Sequence, residues 1–224
     1  VGQPMFKIFS KAKELEAEGK DVTHFELGDP DFNAPKNVIN AVIDALKNNA
    51  THYTNSCGLP QFKEAIQSHL SDNMQLHCDV DQIVVTPGAN SGIYWVIRCL
   101  VNPGEEVLLP DPGFPSFKAA SVAAGVKPVV FSCKGENNFL PDLDELESLI
   151  TNKTKLIILN SPSNPTGMII PKDYLIKIYE LAIKYNFYIL SDDTYRRMSF
   201  TSSMSFSITS IDNCKERTIC LGGL

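Results

Sequence analysis

The sequence predicts an α/β fold in which helices cover both faces of a mostly parallel sheet. Short apolar runs at 106–109, 155–159 and 187–190 have the length of buried strands, and segments with helical apolar spacing separate them. This alternation begins near residue 82 and predicts a three-layer α/β/α large domain. We expect the loops that follow the strands to meet at one edge of the sheet, where open α/β folds bind ligands.

The individual elements are assigned from apolar periodicity and from Pro and Gly breakers. Helix 35–48 is typical, with Pro35 in its first turn and an apolar face that continues to Leu46. The predicted helices cover 5–19, 35–48, 59–70, 93–101, 117–124, 143–150 and 174–185, and the predicted strands cover 24–27, 83–86, 106–109, 128–131, 155–159, 187–190 and 218–221.

Composition excludes several functional classes. The net charge of −6 and the lack of a Lys/Arg cluster argue against nucleic-acid binding. No apolar run approaches membrane-spanning length and no signal peptide opens the chain, so we expect no membrane contact. The four histidines lack metal-ligand spacing, which predicts no metal. Six cysteines without a CxxC pair predict reduced thiols and a cytoplasmic protein.

The central feature is the carboxylate Asp192, which ends the apolar run at 187–190. A strand that stops there places an acid at the carboxyl end of the sheet. An acid in that place needs a partner, and three partners suit it: a cationic ring nitrogen of a bound heterocycle, an arginine, or a helix N-terminus.

Three further segments favour a ligand site beside this acid. The small residues of the turn at 87–92 can expose backbone N–H groups at a helix start, an arrangement that binds phosphate. The Pro-rich loop 110–115 presents Phe114 after a strand. In loop 160–167, two X-Pro bonds, for which cis peptides are possible, aim Asn164. Taken singly, the turn at 87–92 is more typical of a simple connection between two elements, and Phe114 is more typical of a core phenylalanine.

Together these residues resemble the class I/II aminotransferases, the fold-type-I pyridoxal-phosphate enzymes. The most specific segments are NPTG at 164–167 and SDDTY at 191–195, followed by LGDPDF at 27–32. The resemblance runs from about Phe6 to the last residue, in the order and at the spacing of that family. It implies pyridoxal 5′-phosphate as the cofactor.

The resemblance assigns roles to particular residues. Asp192 and Tyr195 are the implied catalytic residues, with Asp192 pairing with the protonated pyridine nitrogen so that the ring acts as an electron sink. Tyr195 and Asn164 resemble the pair that binds the phenolic oxygen of the ring. The remaining implied contacts are Phe114 on the ring face, Gly88, Ala89 and Asn90 around the phosphate, Tyr53 at the phosphate of a neighbouring subunit, and Gly28 at the substrate carboxylate.

The sequence departs from the family pattern in three places. Asp193 and Thr194 stand where Glu and a branched aliphatic residue are more common, and Asn90 replaces a residue that is often basic or a hydroxyl. The lysine that forms the Schiff base is absent, because by spacing it falls two positions beyond residue 224. Lys215 cannot replace it, since it precedes the strand 218–221 and belongs at the opposite end, more than ~10 Å away.

The resemblance therefore implies the N-terminal part of an aminotransferase of amino acid metabolism. Residues 1–34 are expected to form an N-terminal arm and part of a small domain, and residues 35–224 an incomplete large cofactor-binding domain. The whole enzyme is expected to be a homodimer that moves an amino group between an amino acid and a 2-oxo acid, while this fragment alone is expected to be inactive. A carbon–sulfur lyase or decarboxylase of the same fold and a non-catalytic regulatory module remain alternatives, and no particular substrate is indicated.

Overall fold

The computed structural model describes residues 4–74, 76–200, 206–211 and 213–223. The chain divides into two compact units, residues 2–60 and 61–224. This division reflects only which residues pack together and identifies neither an arm nor a small domain. The assignment of residues 1–34 to an N-terminal arm and part of a small domain therefore stays a prediction.

The first unit contains helices α1 (Pro4–Ala17) and α2 (Lys36–Lys47). The predicted strand 24–27 is wrong, because this segment has an irregular backbone in which Phe25 is 91% exposed. The Glu26 carboxylate accepts the N–H of Phe25 and contacts His24 at 2.7 Å. Such local bonds from a side chain compete with a strand ladder.

The second unit contains the sheet. Its described α-helices are α3 (Pro60–Met74), α4 (Ala89–Leu100), α5 (Pro115–Ala123), α6 (Leu143–Ser148) and α7 (Lys172–Tyr185). Its described strands are β1 (Glu106–Asp111), β2 (Lys127–Ser132), β3 (Thr154–Asn160), β4 (Tyr188–Asp192) and β5 (Thr218–Leu221).

The described strands form one sheet in the order β2-β1-β3-β4-β5, and every neighbouring pair is parallel. The chain leaves β1 toward β2 on one side and returns to β3 on the other side of β1. The strand order therefore reverses between β1 and β3. In open parallel sheets, the crevice outside the carboxyl ends of the strands at such a reversal is where ligands bind.

Two apolar clusters cover the two faces of the sheet. On β3, Leu156 and Ile158 belong to one cluster, together with residues of α4 and α5. The alternate residues Ile157 and Leu159 belong to the other cluster, which α6 and α7 cover. Side chains of a strand alternate between faces, so this pattern gives three layers and explains why β3 is apolar without interruption.

Two predicted boundaries near α4 are corrected by the structure. Residues 83–86 are not a strand, because no described strand pairs with them, although Ile83 itself is extended. Helix α4 begins at Ala89, four residues earlier than predicted, so Ala89 and Asn90 lie in its first turn. In the part of the chain that the structure describes, no helix is both long and apolar enough to cross a membrane.

Candidate functional site

Three strands bring polar residues to the carboxyl edge of the sheet. Strands β1, β3 and β4 end at Asp111, Asn160 and Asp192, and Asn160 is paired in register with Asp192. Leu190 packs in the cluster on the α4 and α5 face. Because strand residues alternate, Asp192 lies on that same face, two positions further along.

Asp192 is buried, with 5% of its surface exposed. One of its oxygens, Oδ1, accepts hydrogen bonds from the Thr194 hydroxyl at 2.6 Å and from the Thr194 N–H at 3.2 Å. The other oxygen accepts none from the described residues. Burial raises the pKa of Asp192, while the two bonds from Thr194 lower it. The described residues supply no cation to this acid, so a positively charged ligand group suits its open oxygen.

The neighbouring carboxylate, Asp193, has a different environment. It accepts a hydrogen bond from the Ser191 hydroxyl at 2.6 Å and lies 3.6 Å from the guanidinium of Arg196, which is also buried. Burial raises the pKa of Asp193, and these two partners lower it. An arginine was one of the three kinds of partner considered for Asp192, and the structure instead places Arg196 beside Asp193.

Asn164 and Tyr195 come together above the carboxyl edge. The Asn164 side-chain N–H donates to the Tyr195 hydroxyl at 3.5 Å. Peptide bonds 161–162 and 164–165 are cis, as the sequence allowed, and bond 111–112 is a third that was not predicted.

Asn160 was missed by sequence reasoning. Its side-chain amide donates to the carbonyl oxygen of Asp192 at 3.1 Å, and its side-chain oxygen accepts the backbone N–H of Asn164 at 2.7 Å. One buried residue thus ties the acid-bearing strand to the loop that carries Asn164. The available signal was an amide residue at the end of an apolar strand, which becomes informative only once the register with β4 is known.

The start of α4 presents free backbone donors. Gly88 has φ +84°, a conformation that favours glycine, and its N–H donates to the carbonyl oxygen of Thr86. The N–H groups of Ala89 and Asn90 have no acceptor among the described residues, as is usual in a first helical turn. Of the three residues predicted to surround a phosphate, Ala89 and Asn90 therefore offer free amides, and Gly88 shapes the turn.

Phe114 lies at the N-cap of α5, on the same face of the sheet as α4. Its ring packs edge-on against Phe117, with 5.7 Å between the ring centroids. The preceding Gly113 fits only without a side chain, because a Cβ atom there would collide with the carbonyl oxygen of Pro110. This close turn sets the position of Phe114.

Gly28 and Tyr53 belong to the first unit. Gly28 borders a surface hollow of about 400 Å³ that also includes His24 and Asp29. Tyr53 is fully exposed. The roles implied for both residues stay predictions.

Comparison with known proteins gives concordant matches. A family model described as aminotransferase class I and II matches residues 20–224. An aspartate aminotransferase from Bacillus sp. (strain YM-2) is 37% identical over 218 residues, which cover 97% of this chain and 56% of that protein. An asparagine–oxo-acid transaminase from Streptococcus mutans is also 37% identical over 218 residues, covering 96% and 55%.

The fold is matched as well. The solved structure of aspartate aminotransferase from Thermus thermophilus with maleate superposes with a TM-score of 0.95 at 29% identity, covering 100% of this chain and 58% of that chain. This match confirms the predicted α/β fold. The chain spans about half the length of the curated relatives it matches.

Proposed function

Because this chain belongs to the class I and II aminotransferase family, we propose that the protein containing it transfers an amino group between an amino acid and a 2-oxo acid with pyridoxal 5′-phosphate as cofactor. The observation that carries the proposal is Asp192, a buried carboxylate with one open oxygen and no cationic partner among the described residues. Buried charges are normally paired. A ring nitrogen that carries a proton supplies the missing charge.

The described residues fit this cofactor. Asp192 suits the ring nitrogen, the free amides of Ala89 and Asn90 suit the phosphate, and Asn164 with Tyr195 suits the phenolic oxygen. Phe114 offers an aromatic surface on the same face of the sheet. When bound, the cofactor supplies an electron-withdrawing ring that stabilises negative charge at the α-carbon of the substrate.

Each residue then has a defined task. Asp192 keeps a proton on the ring nitrogen, because an ionised carboxylate beside it favours the charged form of the ring. Tyr195 and Asn164 orient the ring through its phenolic oxygen. Gly28 donates its backbone N–H to the carboxylate of the amino acid.

The remainder of the enzyme is part of the proposal. The lysine that holds the cofactor and moves the proton of the substrate's α-carbon lies two positions after residue 224. It belongs to the large cofactor-binding domain, of which this chain contains only a part. Lys215 does not replace it, since it precedes β5 at the amino end of the strand. The protein is a homodimer in which Tyr53 reaches the phosphate bound by the neighbouring subunit. Its six cysteines form no CxxC pair in the sequence, which favours the cytoplasm.

The two relatives that are 37% identical are named for different amino donors, aspartate and asparagine. The proposal therefore names a reaction class. The test uses the full-length protein with bound cofactor, a panel of amino acids and one 2-oxo acid acceptor, and it measures the new amino acid by mass spectrometry. We expect transfer to the acceptor, and we expect Asp192→Asn to reduce it by roughly 10²-fold or more.

Asp144→Asn is the matched control, because Asp144 is exposed on α6. Release of pyruvate and ammonia without any acceptor would replace the proposal with a lyase. Cofactor binding without turnover of any amino acid would replace it with a regulatory role. Turnover by the 224-residue chain alone would show that the nucleophile lies within it and contradict its assignment to a later lysine.

A further inference from the structure

Thr194 places two donors on a single oxygen of Asp192. The hydroxyl of Thr194 lies 2.6 Å from Asp192 Oδ1, and its backbone N–H lies 3.2 Å from the same atom. The backbone bond alone is a common turn formed by an aspartate and the residue two positions later. The hydroxyl bond is additional, and only Ser or Thr can make it from this position.

The methyl group of Thr194 lies on the side away from this bond. A Cβ atom on Gly223 would lie 3.2 Å from the Thr194 methyl group, so this methyl faces the chain just after β5. The methyl group therefore faces Gly223 while the hydroxyl of the same side chain faces the carboxylate. The rotation of Asp192 is thereby fixed, with Oδ1 occupied and Oδ2 open.

We propose that Thr194 is a positioning residue that presents the open oxygen of Asp192 to the ring nitrogen of the cofactor and keeps this carboxylate ionised. The proposal rests on the proposed function. Its physical basis is that a donor to the ionised form of a buried acid favours that form, which opposes the effect of burial. An aliphatic residue at position 194 retains the N–H donor and lacks the hydroxyl.

The test compares wild type, Thr194→Val and Thr194→Ser in the full-length protein. The dissociation constant of pyridoxal 5′-phosphate is measured by titration calorimetry between pH 5.5 and 8.5. We expect Thr194→Val to bind about tenfold more weakly at the acidic end, the loss expected for one hydrogen bond to a charged group. The difference in dissociation constant between Thr194→Val and wild type should become smaller as pH rises. The dissociation constant of Thr194→Ser should stay within about twofold of the wild-type value.

A cofactor analogue with carbon in place of the ring nitrogen separates positioning from mere folding. If Thr194 acts through Asp192 on that nitrogen, wild type and Thr194→Val bind the analogue equally. Equal weakening with the cofactor and with the analogue would assign Thr194 a structural role and overturn the inference. Thr194→Ala, which keeps only the backbone donor, repeats the comparison if the valine variant does not fold.

The outcomes also separate this inference from the function on which it rests. If wild type does not bind pyridoxal 5′-phosphate at any of the pH values tested, both the proposed function and this inference are wrong. If wild type binds and Thr194→Val binds equally well across the pH range, only the role of Thr194 is overturned.

Discussion

The side-chain amide of Asn164 lies 3.5 Å from the hydroxyl oxygen of Tyr195, although 31 positions separate the two residues in the sequence. They meet because Asn160 bonds both the end of β4 and the backbone of the loop that carries Asn164. The pair therefore depends on the register of β3 and β4, and it can bind one ligand oxygen from two sides.

Removing both members of this pair should show coupling. We expect Tyr195→Phe and Asn164→Ala each to weaken binding of pyridoxal 5′-phosphate about tenfold, because each removes one of the two donors proposed for the phenolic oxygen. Since the two side chains contact each other, the loss of binding free energy in the double variant should be smaller than the sum of the two single losses by about 1 kcal/mol. Equilibrium titration of the four proteins measures this difference.

Tyr188→Phe is the matched control for the tyrosine. Tyr188 is the first residue of β4, whose last residue is Asp192, and it is 39% exposed, so its hydroxyl is remote from the carboxyl edge. It should bind the cofactor as wild type does. Strict additivity of the Tyr195 and Asn164 effects would contradict a shared ligand oxygen.

Asp192→Asn should stabilise the protein without cofactor at neutral pH. Burial raises the pKa of Asp192 above the ordinary 3.8, so the folded state binds a proton at the Asp192 carboxylate more tightly than the unfolded state does. The contribution of the acid to stability is therefore full at low pH and is lost as pH rises from 3.8 through the folded-state pKa. At pH 7 we expect the variant to unfold with a free energy higher by on the order of 1 kcal/mol, measured by urea denaturation.

Asp193→Asn should have the opposite effect. Its carboxylate lies 3.6 Å from the buried Arg196 guanidinium, and removing one partner of a buried pair costs about 3–5 kcal/mol. Urea denaturation at pH 7 measures both substitutions in parallel. A similar change in stability for Asp192→Asn and Asp193→Asn would contradict the different environments of the two acids.

Much of this site could be predicted from local patterns. The run at 187–190 is apolar throughout because both faces of β4 are covered, and the change to an acid at Asp192 marks the carboxyl end of the strand. The turn before α4 was recognisable from its small residues. These features depend only on neighbours in the sequence, which explains why sequence reasoning found them.

The features that were missed depend on distant neighbours. Segment 83–86 has strand-forming residues, and yet a strand requires a partner that lies alongside it. The role of Asn160 follows from its pairing with Asp192, and this register cannot be predicted from the sequence of either strand alone. The choice of Asp193 as the partner of Arg196 depends on which face each side chain occupies.

Gly113→Ala should destabilise the loop that carries Phe114. A Cβ atom would collide with the backbone oxygen of Pro110, and relieving that overlap should cost about 1–3 kcal/mol. Thermal denaturation measures the loss of stability. Weaker cofactor binding should accompany it, because Phe114 is the proposed aromatic contact of the ring and would move. Gly135→Ala is the control, since its Cβ would make an ordinary 3.5 Å contact with Phe139. Equal stability of the two variants would show that the loop can relax.

His24→Gln should lower the stability of the first unit in a manner that depends on pH. The imidazole lies 2.7 Å from Glu26 and 2.8 Å from Glu16 of α1, and these two hydrogen bonds raise the pKa of His24. This pKa is above the ordinary 6.5, so the contribution of His24 to stability is full below pH 6.5 and is lost as pH rises through the folded-state pKa. The difference in free energy of unfolding between wild type and His24→Gln, measured by urea denaturation, should therefore shrink between pH 6 and pH 9. Glu18→Gln is the control, because it removes a carboxylate that pairs with Lys20 and not with His24, and it should leave this pH dependence unchanged. A difference that stays constant over this range would mean that the charge of the imidazole does not hold α1 to the segment before Gly28.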